Sequence, residues 1–438
     1  MKFGTDGVRG VANTDLTASF ALDLGRAAAR VLGGSEAVVG GDTRVSTAML
    51  EAAFVAGMAS EGVVVHRLGV VPSPVVAFEA ARRGCLGAVI SASHNSYQDN
   101  GIKLFAPGGL KLSDATEARI EADVVALPAP SGDPAPLLDA ETSPAYLEHV
   151  LGALEGRGLA GLKVVVDAAN GAASAIAGPL LRSTGADVTT IHDRPDGRNI
   201  NAGCGATHTG SLAATVRELG ADLGLALDGD ADRLLAVDHT GALVDGDHVI
   251  AICAIDRHAR GLLRDGTVVV TVMTNLGFRL GMEAAGIDVV ETAVGDRYVL
   301  EALAAGGYSL GGEQSGHVIF RDLATTGDGL LTGLVLCDAV LRSGRPLADL
   351  AAAAMTRLPQ VLVNVPVEAR MPDAAERFAG EIAAAEAELG GHGRVLVRPS
   401  GTEPLVRVMV EAPTQDAADA TAGRIAEHIR RVQDAPSR

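Results

Sequence analysis

Short β-branched runs alternate with alanine-rich, helix-compatible stretches along most of this chain, and that alternation restricts its fold more than any other feature. A strand that hands over to a helix and returns as a strand pairs in parallel with its predecessor, so the pattern predicts α/β units built on mixed, mainly parallel sheets. The first unit carries Ala37-Val38-Val39-Gly40 and Leu86-Gly87-Ala88-Val89-Ile90, then ends in a proline-rich linker from Leu127 through Pro136. Ser143-Pro144 reads as a helix N-cap with proline at the first helical position, leading to the strand Lys163-Val164-Val165-Val166 of a second unit. A third unit begins near Thr267. Val164 to Val166 followed by Asn170-Gly171, and Val268 to Val270 followed by Asn275-Leu276-Gly277, read as one strand-turn-helix device used twice. After Pro359 the pattern changes: strands at Val361 to Val367, Val395 to Arg398 and Leu405 to Val410 are separated by amphipathic helices near Ala374 to Leu389 and Ala417 to Val432. A smaller α+β domain is expected there.

Composition narrows the functional classes. The 36 basic and 54 acidic side chains leave a net charge of −18, which repels a phosphate backbone and argues against nucleic acid as a partner. An anionic substrate therefore needs local arginine clusters. No apolar run reaches the length of a membrane span and the N-terminus lacks an apolar core, so neither membrane insertion nor secretion is expected. The four cysteines, Cys85, Cys204, Cys253 and Cys337, form no C-x-x-C pair or zinc spacing in sequence and read as reduced, mostly buried thiols of a cytoplasmic protein.

The most informative motif is Asp228-Gly229-Asp230-Ala231-Asp232-Arg233, which follows the apolar run Leu223 to Leu227. Three carboxylates in one turn are costly to each other unless protons or a cation compensate them, and hard oxygen ligands suit Mg²⁺ or Ca²⁺. An EF-hand loop is excluded because its sixth and twelfth positions fall on Arg233 and His239. The alternative is a water-exposed Asp/Gly turn at a strand end. Ser91-Ala92-Ser93-His94-Asn95 leaves the strand ending at Ile90 and is followed by Asn100-Gly101-Ile102-Lys103. A serine there is either a nucleophile or a turn and cap former. Gly311-Gly312-Glu313-Gln314-Ser315-Gly316-His317 has the inventory to grip sugar hydroxyls, or to make a polar turn. Arg398-Pro399-Ser400-Gly401-Thr402-Glu403-Pro404, with Arg407, offers guanidinium forks, hydroxyls and turn amides for a phosphate dianion, or an Arg–Glu pair bracing a tight turn. Phe3-Gly4-Thr5-Asp6-Gly7-Val8-Arg9-Gly10 adds another glycine-framed arginine.

These segments fall one to each expected domain, which points to a shared site where domains meet. In order and wording they resemble the α-D-phosphohexomutase family from end to end. The resemblance implies four domains, 1–140, 155–252, 256–358 and 360–438, around a central cleft. It implies that Ser93 carries a phosphoryl group and that one Mg²⁺ is held by that phosphate with Asp228, Asp230 and Asp232, next to Arg233. It further implies that Glu313, Ser315 and His317 contact the sugar, that Arg398, Ser400, Gly401, Thr402 and Arg407 hold its distal phosphate, and that Lys103, Arg9 and His94 surround the reacting centre. The activity implied is isomerisation of a small sugar phosphate through a bisphosphate. The pairing of the Phe3–Gly10 segment with Glu313 to His317 resembles the branch that converts glucosamine 6-phosphate to glucosamine 1-phosphate. Branches acting on glucose or mannose phosphates, where Gln314 is often methionine, remain open, as do an Asp-nucleophile phosphatase and a non-catalytic sugar-phosphate sensor. One departure is Ser96, where the family usually has proline, so a φ constraint beside the serine loop is missing. The sequence leaves open whether the chain is a monomer or a homodimer.

Overall fold

In the computed structural model the β-branched runs are strands whose side chains fill the cores of four sheets. Residues 2–4, 6–130, 133–140, 144–399 and 404–434 are described, the side chains of 433 and 434 excepted. Ser143 therefore lies outside the described residues, and the helix it was expected to cap is Pro144–Gly152.

The first sheet has seven strands, with Glu36–Gly41 at its centre in parallel with Leu86–Ile90 and Val64–Val70. Asp99–Ala106 runs antiparallel to Leu86–Ile90 and carries Val8–Val11 on its other side, so Arg9 stands opposite Gly101. The second sheet places Leu223–Leu227 between parallel Lys163–Asp167 and antiparallel Leu234–Asp238. The third pairs Thr267–Thr271 in parallel with Asp288–Thr292 and Leu310–Gly312, then closes with antiparallel Val318–Phe320. Leu86–Ile90, Leu223–Leu227 and Thr267–Thr271 are buried at every position. Helices cover both faces, which is why these strands read as continuous apolar runs instead of alternating ones.

By contact the chain forms two compact units, Met1–Met273 with Ala285–Ala354, and Thr274–Ala284 with Met355–Arg438. The first unit contains the three mixed sheets. The second is built on an antiparallel sheet in the order Gln360–Pro366, Leu405–Glu411, Arg394–Pro399. Val365, Val397, Val406 and Val408 meet Ile425 and Ile429 of helix Gln415–Asp434 in its core.

Three local features differ from the sequence expectation. Helix Leu276–Ala284 follows the third α/β strand in sequence but belongs to the second unit, where the buried Glu411 accepts from the Leu276 amide at 2.9 Å and from Asn275 Nδ2 at 3.2 Å. The expected helix from Ala374 to Leu389 is two pieces, Ala374–Arg377 and Ala379–Leu389, because Phe378 leaves helical geometry (φ −107°, ψ 19°) to bury its ring. The repeated strand-turn-helix device is realised unequally. The 276–284 copy enters its helix directly, whereas the other inserts a turn with Ala169 and Asn170 at positive φ before helix Ala177–Ser183.

Candidate active site

The serine loop, the aspartate turn and the Glu313–His317 turn all leave the carboxyl ends of sheet strands in the first unit, the usual place for ligands in α/β sheets. Ser93 follows Leu86–Ile90 with φ at +51°, is fully buried, and donates from Oγ to Asp228 Oδ2 at 2.5 Å. The His94 Nδ1 atom lies 3.3 Å from the same hydroxyl. A side chain on Gly229 would not fit, since a Cβ there would stand 2.5 Å from the Ser93 carbonyl oxygen. The glycine lets the two loops touch backbone to backbone.

The aspartate turn is buried, which excludes the reading of a water-exposed loop. One oxygen from each of Asp228, Asp230 and Asp232 lies within 4.8 Å of the others. Asp230 Oδ2 accepts from Ser73 Oγ at 2.5 Å and from Lys103 Nζ at 2.8 Å, and Asp232 Oδ2 accepts from the same ammonium at 3.0 Å. Lys103 also lies 3.0 Å from Asp6. Burial opposes the lysine charge, but these three carboxylates outweigh it and hold Lys103 well above its ordinary range. Burial likewise opposes ionisation of Asp232, yet Lys103, His317 and Arg233 keep it well below the usual carboxylate range. Asp228 goes the other way: burial and the charges of Asp230 and Asp232 push it well up. Asp230 Oδ1 and Asp232 Oδ1 are buried without a hydrogen-bond partner. Uncompensated negative charge and orphaned carboxylate oxygens on one turn fit a hard divalent cation.

Around this centre, burial and the nearby Arg233 and Arg9 guanidiniums pull the His94 ring down to about 4, so it is neutral near pH 7. Arg9 pairs with Asp6. Glu313 Oε1 accepts from the Gly295 amide at 3.2 Å, and Ser315 Oγ is buried with no partner. His317 is buried, with Nδ1 3.7 Å from Asp232 and Nε2 accepting from the Gly327 amide at 3.1 Å. Burial opposes its charge, but Asp232, Asp296 and Glu313 raise its affinity for a second proton. In the second unit Arg398 and Arg407 are directly opposed on neighbouring antiparallel strands, so both project from one face. Burial and Arg407 depress the Arg398 guanidinium, and Arg407 Nε is buried without a hydrogen-bond partner among the described residues. Ser400, Gly401 and Thr402 lie outside the described residues.

Sequence reasoning missed the residues that hold the serine loop. The wholly buried Arg44 guanidinium donates to the carbonyls of Ser93 at 2.9 Å, Asn95 at 2.8 Å and Asp99 at 3.0 Å, and also to Ser96. Its Nε pairs with Asp42 at 2.8 Å, and Asp42 in turn accepts from Ser91 Oγ at 2.6 Å. From the loop after strand Asp187–Ile191, Asn201 Nδ2 donates to the Ser93 and Asn95 carbonyls at 2.9 and 3.0 Å. The one signal available was Asp42-Thr43-Arg44 at the exit of a buried strand, an acid and an arginine where neither is cheap to bury.

The chain matches the description "Phosphoglucomutase/phosphomannomutase" in four consecutive parts: alpha/beta/alpha domain I over residues 1–128, domain II over 144–241, domain III over 245–358 and the C-terminal domain over 362–428. It is 55% identical to a phosphoglucosamine mutase of Frankia alni, with 99% of each chain covered, and 55% identical to one of Thermobifida fusca, with 92% of each covered. A solved phosphoglucomutase/phosphomannomutase family protein from Burkholderia thailandensis shares the fold with a TM-score of 0.79 at 25% identity, over 98% of this chain and 96% of that one. With the serine loop, acidic turn and sheet order already in place, these matches assign the chain to the phosphoglucomutase/phosphomannomutase family.

Proposed function

We propose that this chain is a phosphoglucosamine mutase that converts glucosamine 6-phosphate to glucosamine 1-phosphate through a phosphorylated Ser93. The observation that carries the reading is the Ser93 hydroxyl, buried 2.5 Å from Asp228 and facing a turn of carboxylates braced by Lys103. The 55% identity to phosphoglucosamine mutases across the chain selects the substrate.

In this mechanism the bond between phosphorus and Ser93 Oγ breaks as one forms to the free C1 hydroxyl of glucosamine 6-phosphate, whose proton leaves. That proton ends on Ser93 Oγ; after the bisphosphate turns over, the bond between phosphorus and O6 breaks as one re-forms to Ser93 Oγ, the serine proton passes to O6, and glucosamine 1-phosphate departs. Asp228, Asp230 and Asp232 with the Ser93 phosphate would hold one Mg²⁺, which when bound neutralises charge on the transferring group. Lys103, kept charged by three carboxylates, serves as a fixed cation and is a poor proton acceptor. His94, neutral and 3.3 Å from Ser93 Oγ, is the better placed group to carry a proton there. Glu313, Ser315 and His317 contact the sugar, Arg398 and Arg407 with Ser400, Gly401 and Thr402 bind the phosphate that is not reacting, and Arg9 and Arg233 border the centre. Four domains, 1–140, 155–252, 256–358 and 360–438, each supply one of these parts. The four cysteines are free and buried, which supports a reducing compartment such as the cytoplasm.

Turnover of glucosamine 6-phosphate, glucose 6-phosphate and mannose 6-phosphate by one preparation tests the reading. Preference for the amino sugar supports it; a higher kcat/KM for either neutral sugar moves the chain to another branch of the family.

A further inference from the structure

Three side chains with no part in the proposed reaction meet at the carboxyl ends of the second sheet. Asp167 ends strand Lys163–Asp167, His192 follows strand Asp187–Ile191, and Cys204 precedes the short 3-10 turn Gly205–Thr207. One donor atom from each lies within 4.8 Å of the other two. Asp167 and Cys204 are fully buried, whereas the His192 side chain is 30% exposed and leaves the group open to solvent exchange.

The donors are held in place by their neighbours. Amide hydrogens of Ala169 and Gly205, each at 2.9 Å, fix the Asp167 carboxylate from both of its oxygens. His192 Nδ1 stands 3.0 Å from Asp167 Oδ2. That spacing is close to the separation of neighbouring ligands of one small cation, which stand about 3.3 Å apart in a tetrahedral zinc site. Cys204 Sγ receives a long contact, 3.8 Å from Asn170 Nδ2, together with the backbone amides of Ala202 and Asn201, donors that also suit a thiolate.

We propose that Asp167, His192 and Cys204 bind a zinc-type divalent cation at a site separate from the aspartate turn. A carboxylate, an imidazole and a thiolate form a borderline-soft set that selects Zn²⁺ or Co²⁺ over Mg²⁺, which prefers oxygen alone. Three protein ligands leave the fourth tetrahedral position for water. The metal enters as the thiol proton leaves, so one proton is released per ion bound. The site ties two strand ends to the segment that carries Asn201, the residue holding the Ser93 and Asn95 carbonyls. A cation there clasps the brace of the serine loop without touching the reacting atoms.

Titration of metal-free full-length protein with Co²⁺, in saturating Mg²⁺ to occupy the aspartate turn, tests the site. One equivalent should raise a near-ultraviolet thiolate-to-cobalt charge-transfer band, which oxygen ligands alone do not give, and added Zn²⁺ should remove it. Cys204→Ser should abolish the band, and His192→Gln should weaken Co²⁺ binding by at least about tenfold. No band in the unsubstituted protein, or an equal band in Cys204→Ser, overturns the assignment. If Cys204→Ser does not fold, the partly exposed His192→Gln decides alone, and unchanged Co²⁺ affinity in that variant rejects the site.

Discussion

Arg44 Nη2 donates to the carbonyl of Ser93 at 2.9 Å, from a guanidinium 49 residues earlier in the chain and wholly buried. The same fork reaches three further carbonyls of the loop, so the backbone that aims the nucleophile is held by one side chain. This bracing is present although Ser96 stands where the family usually has proline. Arg44→Lys keeps the charge but loses the fork, and a small misplacement of a reacting atom is expensive, so kcat should fall about 10²-fold with KM changing little. Among the described residues the Ser96 amide donates to no backbone carbonyl, so Ser96→Pro in the Arg44→Lys background should recover part of the lost kcat. Steady-state kinetics of the single and double variants check both outcomes, and an unchanged kcat in Arg44→Lys would remove its positioning role.

Covalent chemistry at Ser93 predicts that the purified protein carries phosphate there in part, and that Ser93→Ala has no mutase turnover while folding normally. Peptide mass spectra locate the phosphate. Near-normal activity in the alanine variant would be incompatible with the mechanism.

The aspartate turn predicts opposite effects on activity and stability. Asp228→Asn removes a buried charge that its neighbours disfavour, so thermal unfolding should stay level or rise, while turnover falls by about 10²-fold or more. A phosphoserine adds about −1.5 to −2 charges beside the three aspartates, so Mg²⁺ should bind the phosphorylated protein more tightly than the dephosphorylated one. Calorimetric titration of both forms measures the difference, and full turnover in excess chelator would show that the turn is not the catalytic metal site.

Arg398 and Arg407 stand opposite each other on neighbouring strands and project from one face. If they hold the non-reacting phosphate in both orientations of the sugar, replacing either with alanine should raise KM roughly tenfold or more and lower kcat less. Unchanged KM in both variants would relocate the phosphate clamp.

Asp328 supplies a pH test away from the reaction. It caps helix Gly329–Ser343 and accepts from Tyr146 OH at 2.9 Å, and burial pushes its carboxyl from 3.8 up to about 6. Between those values the folded protein binds a proton that the unfolded chain does not, so this group's stabilisation is full below about pH 4 and is lost as pH rises through about 6. Asn caps a helix nearly as well and does not titrate. The stability of Asp328→Asn relative to the unsubstituted protein should therefore climb from pH 4 to pH 7, by an amount on the order of 1–3 kcal/mol. Denaturant titrations at the two pH values measure it, and a pH-independent difference would show that Asp328 is ionised throughout.

Local order was legible in the sequence because it rests on short-range causes. Leu86–Ile90 and Leu223–Leu227 read as buried strands since five successive apolar residues have no solvent face to offer, and Asp228 to Asp232 read as a candidate metal turn or an exposed one, a choice that only their burial narrows. What the tertiary structure alone decided is which distant groups meet. Ser93 and Asp228 are 135 residues apart, and Ser93 and Asn201 are 108 apart. Likewise no spacing in the chain announced that Asp167, His192 and Cys204 would converge. Periodicity and turn chemistry report on neighbours within a few residues, whereas the brace from Arg44 and the allegiance of helix Leu276–Ala284 to the second unit depend on how strand ends and helices pack. Hydrogen bonds between buried polar groups are made only after that packing has removed water from both partners, so their pairing is a property of the folded chain.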